Sequence, residues 1–116
     1  MHEPINDDFK KVVFDDALPG TIALECVFGL LCNNFTLEKT IDILTRRKDV
    51  FEIEDCPIEI GSKADLTIFN PEVNYVFSEN HILSSSNNCA YLDKNLKGIV
   101  YGAINNNKAT LNKLWT

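Results

Sequence analysis

The chain is poor in the residues that build metal and redox sites. Of its 116 residues only two are histidine, His2 and His81, and they form no H-x-H pair. Its four cysteines, Cys26, Cys32, Cys56 and Cys89, contain no C-x-x-C spacing, which excludes the zinc-ribbon and thioredoxin signatures. Positive charge is not in excess: 17 acidic and 11 basic residues give a net charge of -6. An acidic chain repels phosphate backbones, so nucleic acid is not an expected partner. No long hydrophobic run exists either. The longest, Ile22 to Cys32, is interrupted by Glu25 and is too short to span a bilayer. The opening "MHEPINDDFKK" lacks the basic start and apolar stretch of a signal peptide. There are no repeats and no low-complexity tracts. These absences give the expectation of a soluble, cytoplasmic protein with reduced thiols.

What is present is ordinary globular composition, 45% hydrophobic and 24% charged, in a length that suits one domain with a modest core. Residues 1–20 have no clean period; Phe9, Val12, Val13 and Phe14 are apolar anchors among acidic and basic neighbours. Pro19-Gly20 reads as a turn and Thr21 as the N-cap of a helix over residues 22–33. That helix is apolar almost all round, so it must be buried on most sides, with Cys26 and Cys32 as small hydrophobes. Asn33-Asn34 ends it. Thr36 caps a second helix, in which Leu37, Ile41 and Leu44 share one face. Arg46-Arg47-Lys48 then complement the negative end of the helix dipole.

After residue 55 the period changes from 3.6 to 2. Strands are expected at 64–69, 73–78, 98–104 and 108–113, the last two joined by an asparagine-rich turn. The stretch "SENHILSSSNN" reads as a loop with one short helical turn. Two helices and four short strands cannot cover one another well, and the sequence looks like the end of something larger.

Particular stretches carry a resemblance. "IEIGSKADLTIFNP" resembles the start of the C-terminal β-domain strand in the amidohydrolase superfamily. "FDDALPGTIALE", residues 14–25, resembles the dihydroorotase segment F-x-x-A-P-x-G-x-x-G-L-E. Ala17, Gly20, Leu24 and Glu25 match it, Leu18-Pro19 reverses the usual order, and Ala23 replaces a glycine. "TLEKTIDIL" resembles the following family helix, and "LKGIVYGAINNNK" the closing hairpin, which usually ends in Asn-Gly-Lys.

The resemblance implies an α/β fold: the C-terminal end of a (β/α)8 metal-dependent hydrolase barrel, supplying two helices, plus a small composite β-sandwich. Residues 1–55 would be the last loop and helices of the incomplete barrel, and 56–116 the β-domain. The implied activity is zinc-dependent, reversible hydrolysis of dihydroorotate to N-carbamoyl-aspartate in pyrimidine biosynthesis. The family's zinc is held by an H-x-H pair, two more histidines, a carboxylated lysine and an aspartate that also shuttles the proton. The histidines and lysine would lie upstream of residue 1, so this chain is expected to bind no metal and to be inactive by itself. A hydantoinase or allantoinase is a related possibility.

The family motif D-H-x-P-H falls on "MHEPI". His2 and Pro4 match, Met1 occupies the aspartate position, and Ile5 that of the second, substrate-contacting histidine. Substrate contacts then fall to Pro19 and Gly20, through backbone, and to His2, with no catalytic residue in the chain. The plainer readings are a helix-entry turn at Pro19-Gly20 and an exposed terminal histidine at His2. For His81 the plainer reading is a loop histidine. For Glu25 it is a buried or rim carboxylate paired with a base from the barrel. The substitutions at Met1 and Ile5 motivate an alternative, a non-catalytic relative acting as an assembly partner, for example of aspartate transcarbamoylase. Uncovered apolar surface and strand edges make a homo-oligomer the expected state.

Overall fold

The computed structural model describes residues 4–6, 8, 10, 11, 13–16 and 20–112. Its frame is two short helices, α1 (Val27–Asn34) and α2 (Leu37–Thr45), and an antiparallel sheet of β1 (Leu66–Val76), β2 (Asn95–Asn105) and β3 (Lys108–Leu111) in the order β1-β2-β3. Short 3-10 turns stand at Phe14–Asp16 and Glu79–His81.

α1 begins later than its apolar pattern predicts. Thr21 does not cap it; Cys26 occupies that position, without a side-chain cap. The reason lies in competing hydrogen bonds. The Thr21 hydroxyl accepts from the Ala90 N–H at 3.0 Å, and the Ile22 N–H donates to the Asn88 carbonyl at 2.9 Å. Residues bound to a distant loop cannot also open the helix. α2 follows its sequence signals: Thr36 accepts from the Lys39 N–H at 3.3 Å, and Glu38 lies in the first turn. Arg46 is its C-cap, and its guanidinium meets Asp42 at 2.5 Å and holds that carboxyl below the usual range. The basic cluster thus follows the helix end, with only Arg46 pairing back onto it.

The two strands expected at 64–69 and 73–78 are one. Asn70-Pro71 does not stop the run but bulges it. Asn70 pairs with Ile99 and Asn74 with Lys97, so Pro71, Glu72 and Val73 together face Gly98. Asn70 Oδ1 accepts from the Glu72 N–H at 3.0 Å, closing a local turn. β1 is an edge strand, where the missing proline N–H does little harm. The β2–β3 hairpin turns on Asn106 and Asn107, whose φ values of 49° and 59° give the left-handed pair that a two-residue hairpin requires.

α1 packs across β2. Ile22, Cys26, Phe77, Leu96 and Ile99 are all but fully buried, and Phe28 meets Phe69 edge-on at 5.1 Å between ring centres. Gly29 lies against Leu96 and Gly98 against Phe28 and Cys32, which brings the helix backbone close to the strand. Burial pushes the Cys26 thiol up to about 12, with the neighbouring Cys89 adding to the shift, and it raises Cys32 as well.

The face of α2 built by Leu37, Ile41 and Leu44 is not covered by the described residues; each remains more than a third exposed. Val50, Phe51, Ile53, Ile58 and Ile60 are more exposed still. The radius of gyration is 16.5 Å, against about 13 Å for a compact domain of this length.

Candidate substrate-loop site

Of the residues singled out from sequence, Gly20, Ile5, Glu25 and His81 lie among the described residues, whereas Met1, His2 and Pro19 lie outside them. Gly20 has φ of 130°, a conformation that side-chain-bearing residues rarely adopt. Its carbonyl accepts two hydrogen bonds, from Lys10 Nζ at 2.9 Å and from Asn88 Nδ2 at 2.8 Å. The Thr21 hydroxyl lies 3.2 Å from the Asn88 carbonyl, to which it can donate. The turn at residue 20 is therefore tied on both flanks to the loop that precedes β2.

The same loop reaches the N-terminal segment. Ser86, buried, donates from its hydroxyl to the Ile5 carbonyl and accepts from the Asn88 N–H at 3.2 Å. Pro4, Asn6, Ser85, Ser86 and Asn87 line a cavity of about 370 Å3 at this junction. Its polar lining suits hydrogen-bonding ligands in the size range of small-molecule pockets.

Glu25 has a partner within the described residues. Its carboxylate accepts from both the backbone N–H (2.9 Å) and the hydroxyl of Ser84, so this chain itself supplies hydrogen bonds to it. His81 closes a capping box. Its Nδ1 accepts from the Ser78 N–H at 3.0 Å, which fixes the proton of the neutral ring on Nε2. The ring stacks on Phe77, with centres 5.6 Å apart, and tilts against Tyr75 at 5.3 Å. This is a packed, structural histidine in a loop.

Among the described residues no three His, Cys, Asp or Glu side chains converge on one point. Nor, among the described residues, is any helix long and apolar enough to cross a membrane.

Sequence reasoning missed Lys10, Ser84, Ser86 and Asn88. They were visible only as a charged residue in an irregular segment and as the polar part of a loop. Their partners lie 10 to 81 positions away, beyond the reach of any local pattern.

No family model matches the chain. Individual relatives do. The dihydroorotase of Chlorobaculum tepidum is 31% identical over 114 residues, spanning 92% of this chain and 26% of that protein. That of Clostridium acetobutylicum is 32% identical over 117 residues, with 92% and 27% covered. That of Aquifex aeolicus is 29% identical over 113 residues. Among solved structures, a D-hydantoinase superposes with a TM-score of 0.70 at 20% identity, covering 92% of this chain and 25% of the other. The likeness to the hydantoinase is one of fold. The chain spans about a quarter of the length of the curated relatives it matches. Over 92% of its length it is homologous, at about 30% identity, to proteins that are dihydroorotases.

Proposed function

We propose that this chain is the C-terminal portion of a dihydroorotase-type zinc amidohydrolase. The activity is reversible hydrolysis of dihydroorotate to N-carbamoyl-aspartate, a reaction of pyrimidine synthesis. The observation that carries this reading is the match to dihydroorotases along 92% of the chain. On this reading residues 1–55 supply the last loop and helices of a barrel and residues 56–116 a β-domain. The uncovered faces of α2 and of residues 50–60 then meet the rest of the barrel, and the histidine and lysine ligands of the metal belong to that remainder. When bound there, zinc supplies an activated water and polarises the scissile carbonyl. The residues here hold and shape the substrate loop around Gly20, and the chain alone has no turnover.

The test is a hybrid in which these 116 residues replace the matching quarter of the Clostridium acetobutylicum dihydroorotase. With Met1→Asp and Ile5→His introduced, the hybrid is expected to hydrolyse dihydroorotate in a zinc-dependent way. A folded hybrid with both replacements and no turnover would refute the reading.

A second reading is favoured by Ile5. Its carbonyl is bonded to Ser86 and its side chain is half-buried, a structural use for a residue at a substrate-contacting position. A non-catalytic relative that assembles with another enzyme of the pathway would use the segment this way. The reading frame upstream separates the two: an intact H-x-H and lysine region supports the enzyme, and its loss supports the assembly partner.

A further inference from the structure

Ser86 and Asn88 stand two residues apart in one loop, yet they hold two stretches that are far apart in sequence. Ser86 bonds the Ile5 carbonyl and Asn88 the Gly20 carbonyl. Lys10, on the intervening segment, closes on the same Gly20 oxygen. The backbone of the loop is tied in as well, through the Ile22 N–H to the Asn88 carbonyl and the Ala90 N–H to Thr21. These are the two stretches that, on the reading above, face the substrate, and the cavity of about 370 Å3 lies where they meet the loop.

We propose that residues 84–90 form a clamp that sets the geometry of the substrate loop, with Asn88 as its positioning residue. The inference rests on the dihydroorotase reading for its functional meaning, but its physical content is local. A peptide group is planar and trans, so its C=O and N–H point in opposite directions. Two donors on the Gly20 oxygen therefore fix the direction of the Thr21 N–H. That N–H is the group the turn can offer to a carbonyl or carboxylate of a cyclic amide. Without the Asn88 donor the Gly20 oxygen keeps only the long, flexible Lys10 side chain, and glycine itself imposes little resistance to reorientation of that peptide. Ser86 does for Ile5 what Asn88 does for Gly20, so one short loop fixes the spacing between both walls.

The first test uses the 116-residue chain and backbone amide exchange. Asn88→Ala and Asn88→Asp are compared; aspartate keeps the shape of the side chain but cannot donate. Both variants are expected to speed exchange at Ile22 about threefold to tenfold, the loss of roughly one hydrogen bond, and to shift the Gly20 carbonyl and Thr21 amide resonances. Phe77, whose N–H is bonded to the Lys94 carbonyl at 2.9 Å, reports on the sheet and is expected to be unchanged. If Asn88→Asp behaves like the parent chain, or if neither variant perturbs residues 20–22, the clamp is refuted whatever the protein catalyses.

The second test is kinetic and uses the hybrid enzyme. Asn88→Asp is expected to raise KM about threefold to tenfold with kcat changed less than KM. A change in neither constant overturns the functional role. Failure of the parent hybrid itself, with normal exchange behaviour in the chain, would instead count against the dihydroorotase reading and leave the clamp standing.

Discussion

Gly98 passes beneath the ring of Phe28 so closely that a Cβ at position 98 would lie 2.9 Å from Phe28 Cε1 and 3.2 Å from Cys32 Sγ. With φ of 98°, Gly98 is also the point at which β2 faces the bulge of β1. The contact between α1 and β2 and the shape of the sheet thus meet at one residue. Gly98→Ala combines an unfavourable backbone conformation with overpacking and is expected to cost about 2 to 4 kcal/mol. Gly61 has φ of 90° with nothing within 4 Å of its notional Cβ, so Gly61→Ala isolates the backbone part, about 1 kcal/mol. Urea unfolding of both variants checks the difference; equal costs would mean that the packing against Phe28 is loose.

Gly29 poses the opposing case. Alanine in a helix is better than glycine by about 1 kcal/mol. Here the new methyl would stand 2.9 Å from Leu96 Cβ and 3.3 Å from Tyr75 Oη. Leu96 Cβ is fixed to the strand and cannot swing away, so overpacking of about 1 to 3 kcal/mol outweighs the propensity gain. Gly29→Ala is expected to lower the unfolding midpoint, and a raised midpoint would show that α1 can lift off β2 at little cost.

Alkaline pH should weaken the fold through a buried thiol, Cys26, and a half-buried phenol, Tyr75. The unfolded chain loses the Cys26 proton from its ordinary value of 9.0, while the native state retains it to about 12. The native state then binds more protons than the unfolded state, so stability present below pH 9 falls as pH rises, by about 1.4 kcal/mol per unit at full effect. Tyr75, pushed by burial from 10.0 to about 12, adds a second contribution that begins one unit higher. Cys26→Ala should reduce the part that starts at pH 9, to which the raised Cys32 thiol also contributes, and Tyr75→Phe the part that starts at pH 10. Denaturant midpoints between pH 8 and 11 measure both.

Glu25 is held by the N–H and hydroxyl of Ser84, 59 positions away. Glu25→Gln removes the charge from two hydrogen bonds and is expected to destabilise the chain by about 1 to 3 kcal/mol. Ser84→Ala should cost less, because it keeps the backbone donor. The reverse order in thermal denaturation would mean that the Ser84 hydroxyl contributes more than the charge of Glu25.

Ile41 and Leu44 lie on an uncovered apolar face, 40% and 48% exposed. The 116-residue chain is expected to self-associate at high concentration, and Ile41→Lys with Leu44→Lys to reduce this without loss of the fold. Sedimentation across a concentration series decides it.

Local signals were readable in the sequence where they act locally. Thr36 caps α2 as its position implies, and Asn106-Asn107 make the expected hairpin turn because asparagine tolerates the left-handed region. Thr21 misled, since its hydroxyl serves a loop 69 residues distant rather than the next turn of helix. Asn70-Pro71 misled for a related reason: a stop signal in an isolated strand becomes a bulge when a neighbouring strand supplies a glycine opposite it. The resemblance to dihydroorotases was already visible in the ordered motifs. Of the candidate site, Gly20 could be named, but the side chains that hold it could not, because nothing in "SSSNN" says what it binds.

The most direct measurement is the initial rate of dihydroorotate hydrolysis with zinc, taken for the chain alone and for the hybrid carrying Met1→Asp and Ile5→His. No rate above background is expected for the chain, and zinc-dependent turnover is expected for the hybrid. Zinc-dependent turnover by the 116 residues alone, or a folded and inactive hybrid, would contradict the dihydroorotase reading.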